Sequence, residues 1–393
     1  MSRVGVSRVG VSQADPAGRL LADAALPVPG LYGRHPEHNL GTVASAIVAA
    51  YHDAGPVRLG RDRSLAVIAV DGLGYGPASS GLAPDVLIPL TSEFPTTTVA
   101  CLLTSVTRRP ADQHGFIGVQ YLHTDGLRTI NCHDGSLTDP VGPAPARPTQ
   151  TPRLPTVFDM LAEARVPTTL LANELAALDK DVTDRLTHGA SVSATPPPHE
   201  TGPVSLIEAF AAQVTASVRP GTVTWAYLDL DSHLHQHGFD QQARNAVAGL
   251  DRLARRLCGQ GTAVLLFSDH GLTASCQSPD TVSAWLEVAS DRWCRLPPGG
   301  AGRTRWLYPY PRCEDRLADM VAGRFMGAVV THPDELAGWG LVSKGSVGQR
   351  RLGEIVMLAR TADFPVPDAA VRFEHGSMTA DEVLVPLALW SPL

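Results

Sequence analysis

At 393 residues with 44% hydrophobic content, the chain is long enough to bury a large core and too apolar for a disordered or fibrous protein. Its net charge of −7 comes from interspersed acids and bases, so no basic stripe suits a nucleic-acid backbone and no polybasic segment suits a membrane. Small molecules are the expected partners, and nothing in the sequence fixes an oligomeric state.

The first 38 residues are rich in Gly, Pro and polar side chains, carry a short SRVGV duplication and lack the apolar core of a signal peptide. They read as a flexible segment, and with no later stretch of transmembrane length the expected location is cytoplasmic. Six widely spaced cysteines without a CxxC pair are expected to be reduced. Asn39 is placed to cap a helix through LGTVASAIVAAYHD, which opens the main domain, residues 39–393.

SLAVIAVDGLGYG follows, a continuous apolar run that stops on Asp71 and three glycines, the pattern of a buried parallel strand feeding a tight loop. The glycines also admit a dinucleotide-loop reading with Glu93 on the ribose, but their spacing is GxGxG and Pro77 follows where the helix should propagate. FPTTTVACLLTSVT then places three threonines ahead of a helix-like stretch, with Thr98 nearest the helix N-terminus, where backbone N–H groups and the dipole favour a phosphate. An N-cap threonine without chemistry is the bland alternative.

Pro-rich linkers are expected at about 139–155 and around 197. GTVTWAYLDLD repeats the run that stops on an acid, offering Asp229 or Asp231, and GTAVLLFSDHG repeats it with Asp269 and His270. Between them runs a helix-like stretch from Gln241 to Cys258. In DSHLHQHG, Asp231 and His235 share one face of a helix, as do His233 and His237, so spacing alone does not choose between the pairs. Residues 273–370 break the pattern and read as a small α/β insertion, a cap over the active edge, before FEHGSMTADEVLVPL supplies His375 ahead of a helix start at TADE.

Ligands in open parallel sheets bind beyond the carboxyl ends of the strands. The fold class that follows is α/β, with a doubly wound, mainly parallel central sheet that gathers these residues at one edge. Three carboxylates, three imidazoles and a hydroxyl (Asp71, Asp231, Asp269, His235, His270, His375 and Thr98) suit two zinc ions and a nucleophile better than magnesium, with manganese or another divalent metal as the alternative.

The ordered motifs VDGLGYG, FPTTTVACLLTSVT, HGFIGVQY, DSHLHQHG, FSDHG and EHGSMTADEVLVPL resemble the type I phosphodiesterase and nucleotide pyrophosphatase family of the alkaline phosphatase superfamily, from about Leu65 to the C-terminus. The resemblance implies a doubly wound sheet and two zinc ions, one held by Asp231, His235 and His375 and the other by Asp71, Asp269, His270 and the nucleophile Thr98. It also implies in-line displacement through a phosphothreonine on small phosphodiester or nucleotide pyrophosphate substrates. Eukaryotic members carry an Asn three residues after the nucleophile, where this chain has Cys101. A phosphomonoesterase is the nearest alternative. A sulfatase lacks support because no CxPxR-type motif is present, and a non-catalytic relative lacks support because no ligand is missing.

Overall fold

The computed structural model describes residues 15–51, 64–142, 146, 148–172, 175, 177–193 and 202–392. In chain order its strands are β1 (Ser64–Val70), β2 (Val86–Thr91), β3 (Gln120–Leu122), β4 (Thr129–Asn131), β5 (Leu137–Thr138), β6 (Thr168–Leu171), β7 (Ser191–Val192) and β8 (Val223–Leu228). They continue as β9 (Thr262–Ser268), β10 (Thr273–Ala274), β11 (Cys294–Ala301), β12 (Thr304–Pro309), β13 (Ala328–Thr331), β14 (Ile355–Ala359), β15 (Phe373–Glu374) and β16 (Leu384–Trp390).

The central sheet runs β2-β16-β9-β1-β8-β6-β7. Its pairs are parallel except the two that β16 makes with β2 and β9. Strands β1, β8 and β9 are buried at every residue, which explains why they read as unbroken apolar runs: helices cover both faces, so neither parity of side chain meets water. Leu65, Val67 and Ala69 of β1 enter one core with the helices Gly41–Tyr51, Thr98–Thr107 and Val157–Glu163. Ala66, Ile68 and Val70 enter a second core with the helices Pro203–Ser217 and Gln241–Gly259. The expected α/β class with a mainly parallel sheet is what the chain adopts.

The helix Gln241–Gly259 shows why its segment forms where it does. Asp240 accepts a hydrogen bond from the Ala243 amide at 2.9 Å, satisfying one free donor of the first turn. Ala243, Ala246, Val247, Leu250, Leu253, Ala254 and Leu257 then recur at helical spacing and are all buried.

Register decides where the site lies. Val70 pairs with Leu228 on one side and Ser268 on the other, so the residues that follow, Asp71, Asp229 and Asp269, emerge at one level of the sheet's carboxyl edge.

A second seven-stranded sheet, β13-β14-β12-β11-β3-β4-β5, is antiparallel throughout. The 273–370 span supplies four of its strands, but β3, β4 and β5 come from 120–138, a share that the reading of that span as an insertion did not include. Trp306, Tyr308, Val356 and Leu358 join the sheet to the first core, while Leu307, Ile355, Met357 and Ala359 face a third core under helices Pro279–Val288 and Glu314–Arg324.

The N-terminal segment, expected to be flexible to residue 38, is folded from Asp15. A helix spans Pro16–Asp23 with Pro in its first turn, Leu20, Ala24 and Leu31 are buried, and the Tyr32 amide bonds to Met378 O at 2.9 Å. Scattered apolar residues with tertiary partners outweigh the Gly and Pro content. Residues 1–14, with the duplication, and most of the stretch around 197 lie outside the described residues. The helix expected after Asn39 spans Gly41–Tyr51, with the Gly41 amide on Asn39 Oδ1 at 2.9 Å; His52 and Asp53 lie outside the described residues. All six cysteines are free thiols.

Candidate active site

Asp71 is the residue after β1, Asp269 and His270 follow β9, and Asp231 opens the short helix Asp231–His237 just beyond β8. Thr98 is the first residue of Thr98–Thr107, and His375 follows β15. Local chemistry shapes each turn. Gly72 has φ +78°, and a Cβ on it would lie 2.9 Å from Asp231 Oδ1, so the chain leaves β1 in a conformation that only glycine adopts cheaply while passing beside the carboxylate.

These seven side chains converge. Thr98 Oγ1 lies 3.3 Å from both Asp71 Oδ2 and His270 Nε2. His270 Nε2 is 3.4 Å from Asp71 Oδ1 and 3.5 Å from Asp269 Oδ2. On the other side, Asp231 Oδ2 is 2.9 Å from His235 Nε2 and 3.6 Å from His375 Nε2. The two halves touch where the His270 and His375 rings stack with centroids 3.7 Å apart. Ligand atoms of Asp71, Asp269 and His270 lie within 4.8 Å of one another, as do those of Asp231, His270 and His375.

The donor set fits divalent cations. Asp71 Oδ1, Asp231 Oδ1 and Asp269 Oδ2 are buried without a hydrogen-bond partner, a costly state unless a cation takes their lone pairs. Each imidazole turns Nδ1 to a backbone carbonyl, His235 to Phe373 O at 2.8 Å, His375 to Thr96 O at 2.6 Å and His270 to Gly271 O at 3.3 Å. That contact places the proton on Nδ1 and presents Nε2 as a ligand.

Electrostatics agree. Burial, then the charges of Asp269 and Asp231, raises Asp71 well above the carboxylate range, and burial followed by Asp231 raises Asp269 to about 6. Burial opposes ionisation of Asp231 too, but hydrogen bonds from His235 and His375 outweigh it and hold that carboxyl low. His375 rises to about 10 because Asp231 and Glu374 outweigh burial, while burial and the His375 charge push His270 well below its ordinary value. To ligate through Nε2, His375 must give up its proton.

Some expected alternatives fall away. Asp229 turns to Ser232, accepting from its amide at 2.9 Å and its hydroxyl at 2.6 Å. His233 faces Asp240 at 3.1 Å and lies against the His237 ring, tilted by 36° at a centroid distance of 4.6 Å. Other contributors were not singled out from the sequence. Tyr227 hydrogen-bonds to Asp71 Oδ2, and Thr96 receives His375 Nδ1 on its carbonyl and the Gly376 amide on its hydroxyl at 2.8 Å. Glu374 Oε1 lies 3.6 Å from His375 Nε2 and 3.8 Å from His235 Nδ1; its place beside His375 in EHG was the one available hint. Cys101 points into the core, fully buried, with Sγ 3.2 Å from Ser92 Oγ.

The family model for type I phosphodiesterase / nucleotide pyrophosphatase matches residues 82–321, more than half of the chain. The chain belongs to this family. Among solved structures it resembles murine ectonucleotide pyrophosphatase/phosphodiesterase 5, an inactive form in complex with AMP, at 15% identity and a TM-score of 0.58, covering 84% of this chain and 88% of that one. It also resembles phosphonoacetate hydrolase from Sinorhizobium meliloti in complex with phosphonoformate, at 18% identity and a TM-score of 0.57, covering 85% and 91%. Both likenesses concern the fold alone. No curated protein sequence matches. Among the described residues no helix is long and apolar enough to cross a membrane.

Proposed function

We propose that this member of the family is a two-metal phosphodiesterase or nucleotide pyrophosphatase acting on small molecules, with Thr98 as its nucleophile. The observation that carries the proposal is the pairing of three orphaned carboxylate oxygens with three imidazoles of fixed tautomer around one helix-terminal hydroxyl. Asp71, Asp269, His270 and Thr98 would hold one divalent ion, and Asp231, His235 and His375 the other. Zinc suits this nitrogen-rich set, and such ions supply Lewis acidity that lowers the pKa of the nucleophile and neutralises charge on phosphorus and leaving oxygen.

The chain's own groups do the rest. Asp71 orients Thr98 Oγ1, which gives up its proton and attacks phosphorus as the bond to the leaving oxygen breaks, and the leaving oxygen takes up a proton in exchange. Water then attacks the phosphothreonine, its P–Oγ1 bond breaks, and the hydroxyl regains a proton. With Cys101 turned into the core, the unpaired first-turn amides of Thr98–Thr107 are the donors for the non-bridging phosphoryl oxygens. AMP in the murine relative and phosphonoformate in the bacterial one support a small phosphorus-containing substrate here.

Metal analysis of chelator-free protein tests the proposal. Two equivalents of zinc are expected, and fewer than one transition metal per chain in active protein contradicts it.

A further inference from the structure

A buried ion pair lies directly behind the His375 loop. Arg303 and Glu382 are 1% and 0% exposed, with Nε 3.1 Å from Oε1. Each partner grips the 374–379 loop. The Arg303 amide donates to His375 O at 2.7 Å, while Glu382 accepts from the Ser377 amide at 2.9 Å and the Thr379 hydroxyl at 2.6 Å. Arg303 Nη1 donates to Thr361 O at 3.0 Å and Ala274 O at 3.4 Å, so the guanidinium is anchored outside the loop and acts on it through Glu382. The loop packs so closely on the second sheet that a Cβ at Gly376, φ +115°, would meet Ala301 O at 2.0 Å.

A buried ion pair is weak as a stabiliser, because desolvation offsets most of the Coulombic gain. Its value here lies in what it orients. Thr96 fixes the ring of His375 through Nδ1 and holds the Gly376 amide and Ser377 O through its hydroxyl, while on the far side the loop is tied to Arg303, Thr304 and Glu382. We propose that the Arg303–Glu382 pair is a positioning device for His375, locking the 374–379 loop between the second sheet and the short helix Ala380–Val383 so that Nε2 stays aimed at Asp231. The consequence for metal binding rests on the two-metal reading; the order of the loop does not.

The test uses full-length Arg303→Gln, Arg303→Lys and Glu382→Gln proteins. In chelator-treated samples, hydrogen exchange of the peptide spanning 374–379 is expected to accelerate by about tenfold or more in both Gln variants and less in Arg303→Lys. Exchange in Gln241–Gly259 stays unchanged. On zinc titration the ion held with Asp231 and His235 weakens by about tenfold or more while the other keeps its affinity, and excess zinc restores kcat. Unchanged loop exchange, or equal acceleration across the chain, overturns the inference. If wild-type protein binds fewer than two zinc ions, the two-metal reading fails and the exchange comparison still decides the role of the pair. Should Arg303→Gln not fold, Glu382→Gln, which preserves shape, carries the same comparison.

Discussion

Tyr227 has no part in bond making, yet its phenol hydrogen-bonds to the Asp71 oxygen that also meets Thr98. Removing that one hydroxyl leaves the ring packed in β8 and frees Asp71 to rotate away from Thr98 and His270. Tyr227→Phe is therefore expected to weaken binding of the ion proposed at Asp71, Asp269 and His270 by about 10- to 100-fold with the fold intact, as measured by competition with a chromophoric chelator; equal affinity in both proteins would show the phenol to be irrelevant. Nothing in the sequence marks Tyr227, since a Tyr inside an apolar strand run reads as core. Asp71, Asp269 and His270 were legible as candidates because each ends a long apolar strand run, where a charged residue lacks a packing reason, whereas His375 follows a two-residue strand and stood out only by its place before the TADE helix start. The strand pattern left Asp229 and Asp231 open and only the family resemblance chose Asp231; in the structure Asp229 turns to Ser232 instead.

At the level of elements, the helix Thr98–Thr107 is held from behind by the short helix Ala111–His114. His114 is buried, with Nε2 3.2 Å from Ala100 O and 3.3 Å from Thr104 Oγ1 and Nδ1 accepting from the Phe116 amide. Burial is the main cause that lowers its pKa to about 3. The sign follows directly: between the ordinary value near 6.5 and about 3, the unfolded chain binds a proton that the folded chain does not, so stability falls as pH drops through that window. Each pH unit costs about 1.4 kcal/mol. Urea unfolding at pH 6 and pH 5 should therefore show a steeper acid loss for wild type than for His114→Gln; parallel losses would mean that His114 is protonated in the folded protein. The main strands and the helix Gln241–Gly259 could be read from periodicity, because burial on one or both faces imposes it. The joining of β3, β4 and β5 to strands from residues 294–359 could not. Strands of two or three residues carry no periodic signal, and their pairing is set by tertiary contacts far away in sequence.

For the molecule as a whole, two packed sheets leave the ligand cluster at the carboxyl edge of the first, backed by the second. Among the described residues no Arg or Lys hydrogen-bonds to any of the seven clustered side chains, and Arg108 stands at the far end of the helix that Thr98 opens. A monoester carries one more negative charge than a diester, a charge that a paired guanidinium would best meet. Hydrolysis of bis-(p-nitrophenyl) phosphate is accordingly expected to exceed that of p-nitrophenyl phosphate in kcat/KM. A monoester preference of about tenfold, ~1.4 kcal/mol of transition-state discrimination, would place the activity with the phosphatases. The central claim is that Thr98 is the nucleophile of a metal-dependent diesterase, and it is tested most directly by kcat/KM for the same diester on zinc-loaded wild type, Thr98→Ala and Thr97→Ala, with bound metal quantified in each. The account predicts that Thr98→Ala loses about a thousandfold or more, ~4 kcal/mol, while keeping its zinc, and that Thr97→Ala is mild. Near wild-type turnover in Thr98→Ala, or the loss falling on Thr97→Ala instead, would contradict it.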